Sequence, residues 1–323
     1  MRQEDDVGIP VALVQLDAAD DVAANVAAAV DLADEAASRG ARLIALPESL
    51  QQRGSVAGYR ASAAQVPGPV TDPFVALARR HRTWILLGSV AEPSADPWRP
   101  YNTSVLLAPD GTVAATYRKI HLFDVQVDDV TADRESDRAT PGTSAVVADI
   151  DVAEPGSEPA GARDAAGTNA QAGAPSAAQR NPSGDPRRAA HRSHVRLGLT
   201  VCYDLRFPEL YRALALAGAE VLCVPANFTE RTGRDHWEVL LRARAIENGA
   251  YVLAPAQCGR PPSGPAAHGH SMVVDPWGIV VAQASDGPGL VFAELDPRRI
   301  AGARERLPML AHRRPEAYRL DGA

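Results

Sequence analysis

A chain of 323 residues, 46% hydrophobic and 23% charged, can build a substantial core, which excludes wholesale disorder and leaves room for one large domain or two ordinary ones. The net charge of −7 argues against a nucleic-acid surface, which needs clustered excess Lys and Arg. No apolar run approaches the roughly 20 residues of a membrane span, the acidic start MRQEDDVGIPVALVQLD does not read as a signal peptide, and the three cysteines are too scattered for a disulfide framework or a CxxC pair. The expectation is a soluble α/β protein of the cytoplasm.

Strand-like and helix-like segments alternate along the chain. Residues 11–17 (VALVQLD) predict a strand, and residues 21–40 an Ala-rich amphipathic helix closed by Gly40. RLIALPE (42–48) reads as a second strand, DPFVALARRH (72–81) as a helix and TWILLGSVAE (83–92) as a third strand. Over 101–119 an Asp-Gly turn flanked by apolar alternation marks a β-hairpin. VRLGLTVCYD (195–204) reads as a strand, and 207–218 as a helix with Pro208 in its first turn and Leu210, Leu214 and Ala217 on one stripe. AEVLCVPAN (219–227) is another strand. The helix after it is expected over 235–249, opening with Asp235 and Glu238 in capping-box spacing. A strand at 250–257 and a hairpin at 270–284 complete two passes of strand, helix, strand and hairpin. Such alternation suggests sheets inside and helices outside one continuous domain over 1–323.

One segment interrupts this pattern. Over 153–193, 26 of 41 residues are Ala, Gly, Pro or Ser, and none is Val, Ile, Leu, Met or aromatic. Such a stretch cannot bury enough apolar surface to offset its ordering entropy. Its flanks, VVADIDV and HVRLGL, read as two strands that a tight turn could join. The expectation is a disordered insertion in a hairpin loop, which loop-closure entropy tolerates, with a regulatory or partner-binding tail as the alternative.

Cys202 stands where an apolar strand gives way to a helix start, the place where catalytic side chains collect in α/β proteins. Nearby helix amides would favour its thiolate, yet a buried cysteine that merely fills space fits equally well. Cys223, inside EVLCVPAN, reads as such a filler, and Cys258, in AQCGR, as a pocket-lining residue. A thiol nucleophile needs a base. No histidine lies in a cysteine-protease signature; His268 and His270 in AAHGHSMVVD are the best histidine candidates, with plain loop positions as the alternative. GHSMV lacks the closing Gly of a serine-hydrolase elbow, and no HExxH, GxGxxG or P-loop is present, so neither a metal nor a cofactor is expected. Glu48 in LIALPES and Lys119 in YRKIHLFD also end strands. A carboxylate base, an ammonium for a developing oxyanion and a thiol, each at the carboxyl end of its own strand, make sense together.

LPES, YRKIHLFD and CYDLRFPEL, in that order, resemble the three signature segments of the nitrilase (carbon-nitrogen hydrolase) superfamily. The resemblance runs from about Val11 to Tyr318 and is broken only at 153–193. It implies an αββα sandwich, homodimers paired through helices, and a Glu-Lys-Cys triad of Glu48 as general base, Lys119 at the oxyanion and Cys202 as nucleophile. It also implies a second glutamate, Glu135 in TADRESDRATPGT, which orients Lys119. The segments HWEVLLRARAIENGAYVLAPAQCGR and LPMLAHRRPEAY resemble the branch that hydrolyses deaminated glutathione through a cysteine thioester with release of ammonia. An ω-amidase acting on 2-oxoglutaramate is the runner-up, and an ammonia-supplying or non-catalytic binding module a third reading. Substrate contacts are expected from Tyr203, whose N–H would hold the oxyanion, from Arg206, and from Phe228 and Thr229 in a loop over 227–238. Arg242, Arg244 and Arg260 are further candidates for a cationic pocket. The chain departs from the branch at CGRPPSGPAAHGH, where Pro and Ala replace more polar or aromatic residues.

Overall fold

Along strand β1 (Ile9–Gln15) successive side chains enter two different cores. Val11 and Leu13 join one apolar cluster while Ala12 and Val14 join another, and β2 (Leu43–Ala45) and β3 (Trp84–Glu92) divide in the same way. A sheet covered on both faces needs strands that are apolar throughout, which is why these segments lack polar alternation. The computed structural model describes residues 8–126, 132–152 and 194–317.

Two six-stranded sheets lie face to face. In the first, β1, β2 and β3 run parallel, β14 (Gly289–Leu295) pairs antiparallel with β1, and the hairpin of β4 (Tyr101–Leu107) and β5 (Val113–Arg118) extends the other edge. In the second, β9 (His194–Leu199), β10 (Val221–Cys223) and β11 (Tyr251–Ala254) run parallel. Antiparallel β8 (Val146–Asp151) flanks them on one side, and β12 (Met272–Val274) with β13 (Val280–Gln283) on the other. Val11, Leu13, Leu43 and Leu86 of the first sheet share a cluster with Val195, Leu197, Leu199 and Val221 of the second. Helices α1 (Val22–Ser38) and α3 (Asp72–His81) cover the first sheet through Ala29, Ala33, Phe74 and Leu77. Helices α4 (Pro208–Leu216) and α5 (Glu230–Asn248) cover the second through Leu210, Leu214, Trp237 and Leu241. The result is a four-layer αββα sandwich, as the sequence resemblance implied.

Several boundaries differ from expectation. The strand expected over 195–204 ends at Leu199, and Cys202–Arg206 forms a single 3-10 turn. The helix expected to open at Asp235 begins at Glu230 behind Thr229, so Asp235 and Glu238 are helix-interior residues that merely share capping-box spacing, and the loop expected over 227–238 is confined to its first residues. Short α2 (Val56–Ala61), strand β14 and helix α6 (Pro297–Arg306) were not anticipated. A two-stranded ribbon, β6 (Asp124–Gln126) with β7 (Ala132–Arg134), stands apart from both sheets. The segment 153–193 lies outside the described residues; the strands on either side of it pair antiparallel, with Asp151 opposite His194.

Candidate active site

Strand direction brings the expected residues to one rim. β4 reverses against β3 and β5 reverses against β4, so β5 runs the same way as β2 and its carboxyl end lies at the same edge. Glu48 follows β2 by three residues and Lys119 follows β5 directly. Gly88 makes the close approach of two loops possible. A Cβ there would stand 1.9 Å from the Leu46 carbonyl oxygen and 2.4 Å from the Pro225 Cβ, so only a residue without a side chain fits between them. The Pro225 carbonyl accepts the Cys202 N–H at 2.8 Å, and Gln257 Nε2 donates to the Glu48 carbonyl at 2.9 Å.

Cys202 adopts φ +50°, left-handed backbone that is rare for a residue with a side chain and that concentrates at functional sites. Its turn is tied down by Asp204. The buried Asp204 carboxylate accepts the Val201 N–H at 2.8 Å and the Tyr117 hydroxyl at 2.7 Å through Oδ2, and the His121 N–H at 3.1 Å through Oδ1. His121 Nδ1 lies 2.7 Å from the same Oδ1, and its ring stacks on Phe207 with centroids 3.6 Å apart. Tyr117 and His121 flank Lys119, so one carboxylate joins the segment bearing the ammonium to the segment bearing the thiol.

Glu48, Lys119, Glu135 and Cys202 are all buried and all line one cavity of about 310 Å³. Lys119 Nζ donates to Glu48 Oε1 at 3.0 Å and to Glu135 Oε2 at 2.7 Å. Glu48 Oε2 accepts the Asn227 N–H at 2.7 Å, and Glu135 Oε2 accepts the Phe123 N–H at 2.6 Å. Burial alone would discharge Lys119, but Glu135 and Glu48 outweigh it and hold the ammonium well above its ordinary range. Burial also works to raise Glu135; Lys119 overrides it and keeps that carboxyl below its usual value. At Cys202, burial and then the nearby Glu48 charge push the thiol well above its ordinary value, against the pull of Lys119. Such a thiol stays protonated until a base removes its proton. A thiol, a carboxylate and a fixed ammonium thus line one cavity, the groups that nucleophilic acyl chemistry requires.

Of the expected substrate contacts, Tyr203, Phe228 and Thr229 line the same cavity. Arg206 does not. It lies over the rings of Phe228 (5.3 Å) and Tyr203 (5.9 Å) and donates to His236 Nδ1, so it backs the lining and is not part of it. Arg244 is buried and gives two hydrogen bonds to the Leu205 carbonyl, Arg242 binds the Gly278 carbonyl, and Arg260 lines a separate crevice with His268, His270 and Cys258. Besides Lys119, the cations lining the cavity are Arg53 and Arg138, neither singled out from the sequence, each paired with an aspartate: Asp17 and Asp133. Tyr59 and Asn102 were also missed. Among the described residues no group of three His, Cys, Asp or Glu side chains could hold a metal ion, and no helix is long and apolar enough to cross a membrane.

Comparison with known proteins agrees with this geometry. The carbon-nitrogen hydrolase family matches residues 10–305. The human deaminated glutathione amidase is 40% identical over 314 residues, which cover 95% of this chain and 83% of that protein. Among solved structures, the C. elegans NitFhit protein superposes with a TM-score of 0.76 at 32% identity, over 97% of this chain and 67% of that one. An amidase from Nesterenkonia sp. AN1 aligns with a TM-score of 0.70 at 25% identity, over 97% of both chains. That structure shows covalent addition of the acetamide moiety of fluoroacetamide at its active site cysteine.

Proposed function

This chain belongs to the carbon-nitrogen hydrolase family, and from that membership we propose that it is an amidase cleaving the amide that joins the 2-oxoglutaryl group of deaminated glutathione to its cysteine. Glu48 takes the Cys202 proton as the sulfur attacks the amide carbon. The oxyanion forms against Lys119 and the Tyr203 N–H. Glu48 returns the proton to the departing nitrogen and the amine leaves, cysteinylglycine in the case of deaminated glutathione, with the 2-oxoglutaryl group held as a thioester on Cys202. Water, deprotonated by the same Glu48, opens the thioester and frees the carboxylate, so the balance is amide plus water to acid plus amine. Glu135 holds Lys119 in place throughout. The single observation that carries the reading is the buried Cys202 thiol lining one cavity with Glu48 and with the Lys119 ammonium that donates to Glu48.

The relatives' substrate supports the choice of deaminated glutathione, and so does the lining. A cavity of about 310 Å³ reaches the size of sites that enclose drug-sized ligands, more room than 2-oxoglutaramate needs. Arg53 and Arg138 add positive charge to the lining, their guanidinium groups fixed by Asp17 and Asp133. Release of the product acid, measured across a panel of α-keto and α-amino amides, tests the assignment. Deaminated glutathione should give the highest kcat/KM; a higher value for 2-oxoglutaramate would transfer the assignment to ω-amidase, and no release from any amide would end it.

The reading includes a homodimer and a cytoplasmic location. Val239 and Ile246 stand two turns apart on α5, both exposed, and Ile246 packs at Gly278 next to exposed Trp277 and Ile279. A patch of this kind on a soluble protein marks a contact surface. The three free, buried cysteines fit a reducing compartment.

A further inference from the structure

Asn102 is the second residue of β4 and is buried. Its Nδ2 donates to Glu48 Oε1 at 2.9 Å and to Glu135 Oε1 at 3.2 Å. Its backbone carbonyl accepts the Lys119 N–H at 2.9 Å. One residue therefore grips both carboxylates through its side chain and the lysine through its main chain.

We propose that Asn102 is a positioning residue, whose single neutral amide holds Glu48 and Glu135 at a fixed separation around the Lys119 ammonium and so keeps Glu48 aimed at the Cys202 thiol. The inference rests on the reading of Glu48 as general base.

Two carboxylates that share one donor nitrogen are close enough to repel, and a single ammonium cancels only one of the two charges. The amide adds donors without adding charge. Glu48 is held by Lys119, Asn102 and the Asn227 N–H; Glu135 by Lys119, Asn102 and the Phe123 N–H. Lys119 and Asn102 are common to both, so the four side chains close a ring: Glu48, Lys119, Glu135, Asn102. A closed ring of hydrogen bonds resists distortion better than the same bonds in a line. A second cation in place of Asn102 would neutralise the base, and an aspartate would add a third anion. The other ionisable groups around the ring are Cys202, Tyr59 and Arg138, all of which line the cavity. None of them donates to both carboxylates.

The test is Asn102→Ala and Asn102→Asp, assayed on whichever amide the wild-type enzyme hydrolyses. Each variant should lose about 10- to 100-fold in kcat, the worth of one hydrogen bond to a charged group, with a far smaller change in KM. The acid limb of kcat/KM should move to higher pH, because Glu48 has lost a donor to its charged form. A merely structural role would lower stability and leave that limb in place. Should Asn102→Ala fail to fold, Asn102→Asp, which keeps the side chain's shape in β4, decides by the same readouts. Wild-type kcat with an unmoved acid limb in a folded variant overturns the inference. Glu48→Gln and Cys202→Ala run alongside separate the two levels: if those variants stay active the base reading itself has failed, and if they are inert while the Asn102 variants match wild type only the present inference falls.

Discussion

Tyr117 and Asp204 lie 87 residues apart in the chain and 2.7 Å apart in the fold, the phenol donating to the carboxylate. Through that contact the strand ending in Lys119 is pinned to the turn bearing Cys202. Tyr117→Phe should cost about 1–2 kcal/mol, a typical loss for one buried hydrogen bond. Asp204→Ala strands the Tyr117 hydroxyl and the N–H groups of Val201 and His121 together, and should cost about 3 kcal/mol or more. Chemical denaturation of both variants, with amide turnover as the second readout, checks the ranking. Equal stability for the two would remove Asp204 from its role as the junction.

The Cys202 thiol also reports on its neighbours. Burial and the Glu48 charge both oppose thiolate formation. In Glu48→Gln the anion is gone while Lys119 remains, so the thiol should titrate at lower pH than in wild type. Ultraviolet thiolate absorbance followed against pH, with Cys202→Ala as blank, measures the midpoint. A midpoint that rises in Glu48→Gln contradicts the contact between them.

Cys202→Ala should lower turnover by about 10⁴-fold or more, since nucleophile, base and cation act as a unit. A slow amide substrate should add mass to Cys202 in the wild type, seen by intact-protein mass spectrometry, and to neither Cys223 nor Cys258. Turnover retained in Cys202→Ala is incompatible with a thioester.

His268 is held to about 4, chiefly by burial and then by His270 and Arg234. Its neutral form belongs to the folded state and its charged form to the unfolded state. Between its ordinary value and about 4 the unfolded chain therefore binds the extra proton, and stability falls as pH drops through that window. His268→Gln should flatten the decline in urea midpoint between neutral and acidic pH. A decline as steep as that of wild type would show that other groups govern it.

Val239→Asp places a charge on the exposed α5 face beside Ile246 and Trp277. Sedimentation should show a wild-type dimer and a Val239→Asp monomer that keeps its secondary structure. A wild-type chain that sediments as a monomer, or a variant that stays dimeric, removes that face from the assembly.

What the sequence makes legible follows from what acts locally. Strands β1, β2 and β3 stand out because both their faces are apolar, and Glu48, Lys119 and Cys202 stand out because each follows a strand end. Cys202 stayed ambiguous in the residues alone, since an apolar strand before a thiol fits a filler as well as a nucleophile. The start of α5 was misplaced because Asp235 and Glu238 sit three apart inside a helix, which copies the spacing of a cap. Arg206 was favoured for its closeness in sequence to Cys202, yet its guanidinium stacks behind Tyr203 and Phe228. Asn102 was invisible for the opposite reason. Nothing in YNTSVLL distinguishes it; its partners arrive from 54 residues before it and 33 residues after.

The pairing of Asp151 with His194 bears on how this chain tolerates change. Strand β9 separates that junction from the nucleophile turn by six residues, about 20 Å of extended chain, and it starts at the pole of the sandwich opposite the crevice. Passenger sequence spliced between those two residues, up to a whole folded unit whose ends lie close together, should therefore leave Glu48, Lys119 and Cys202 where they are.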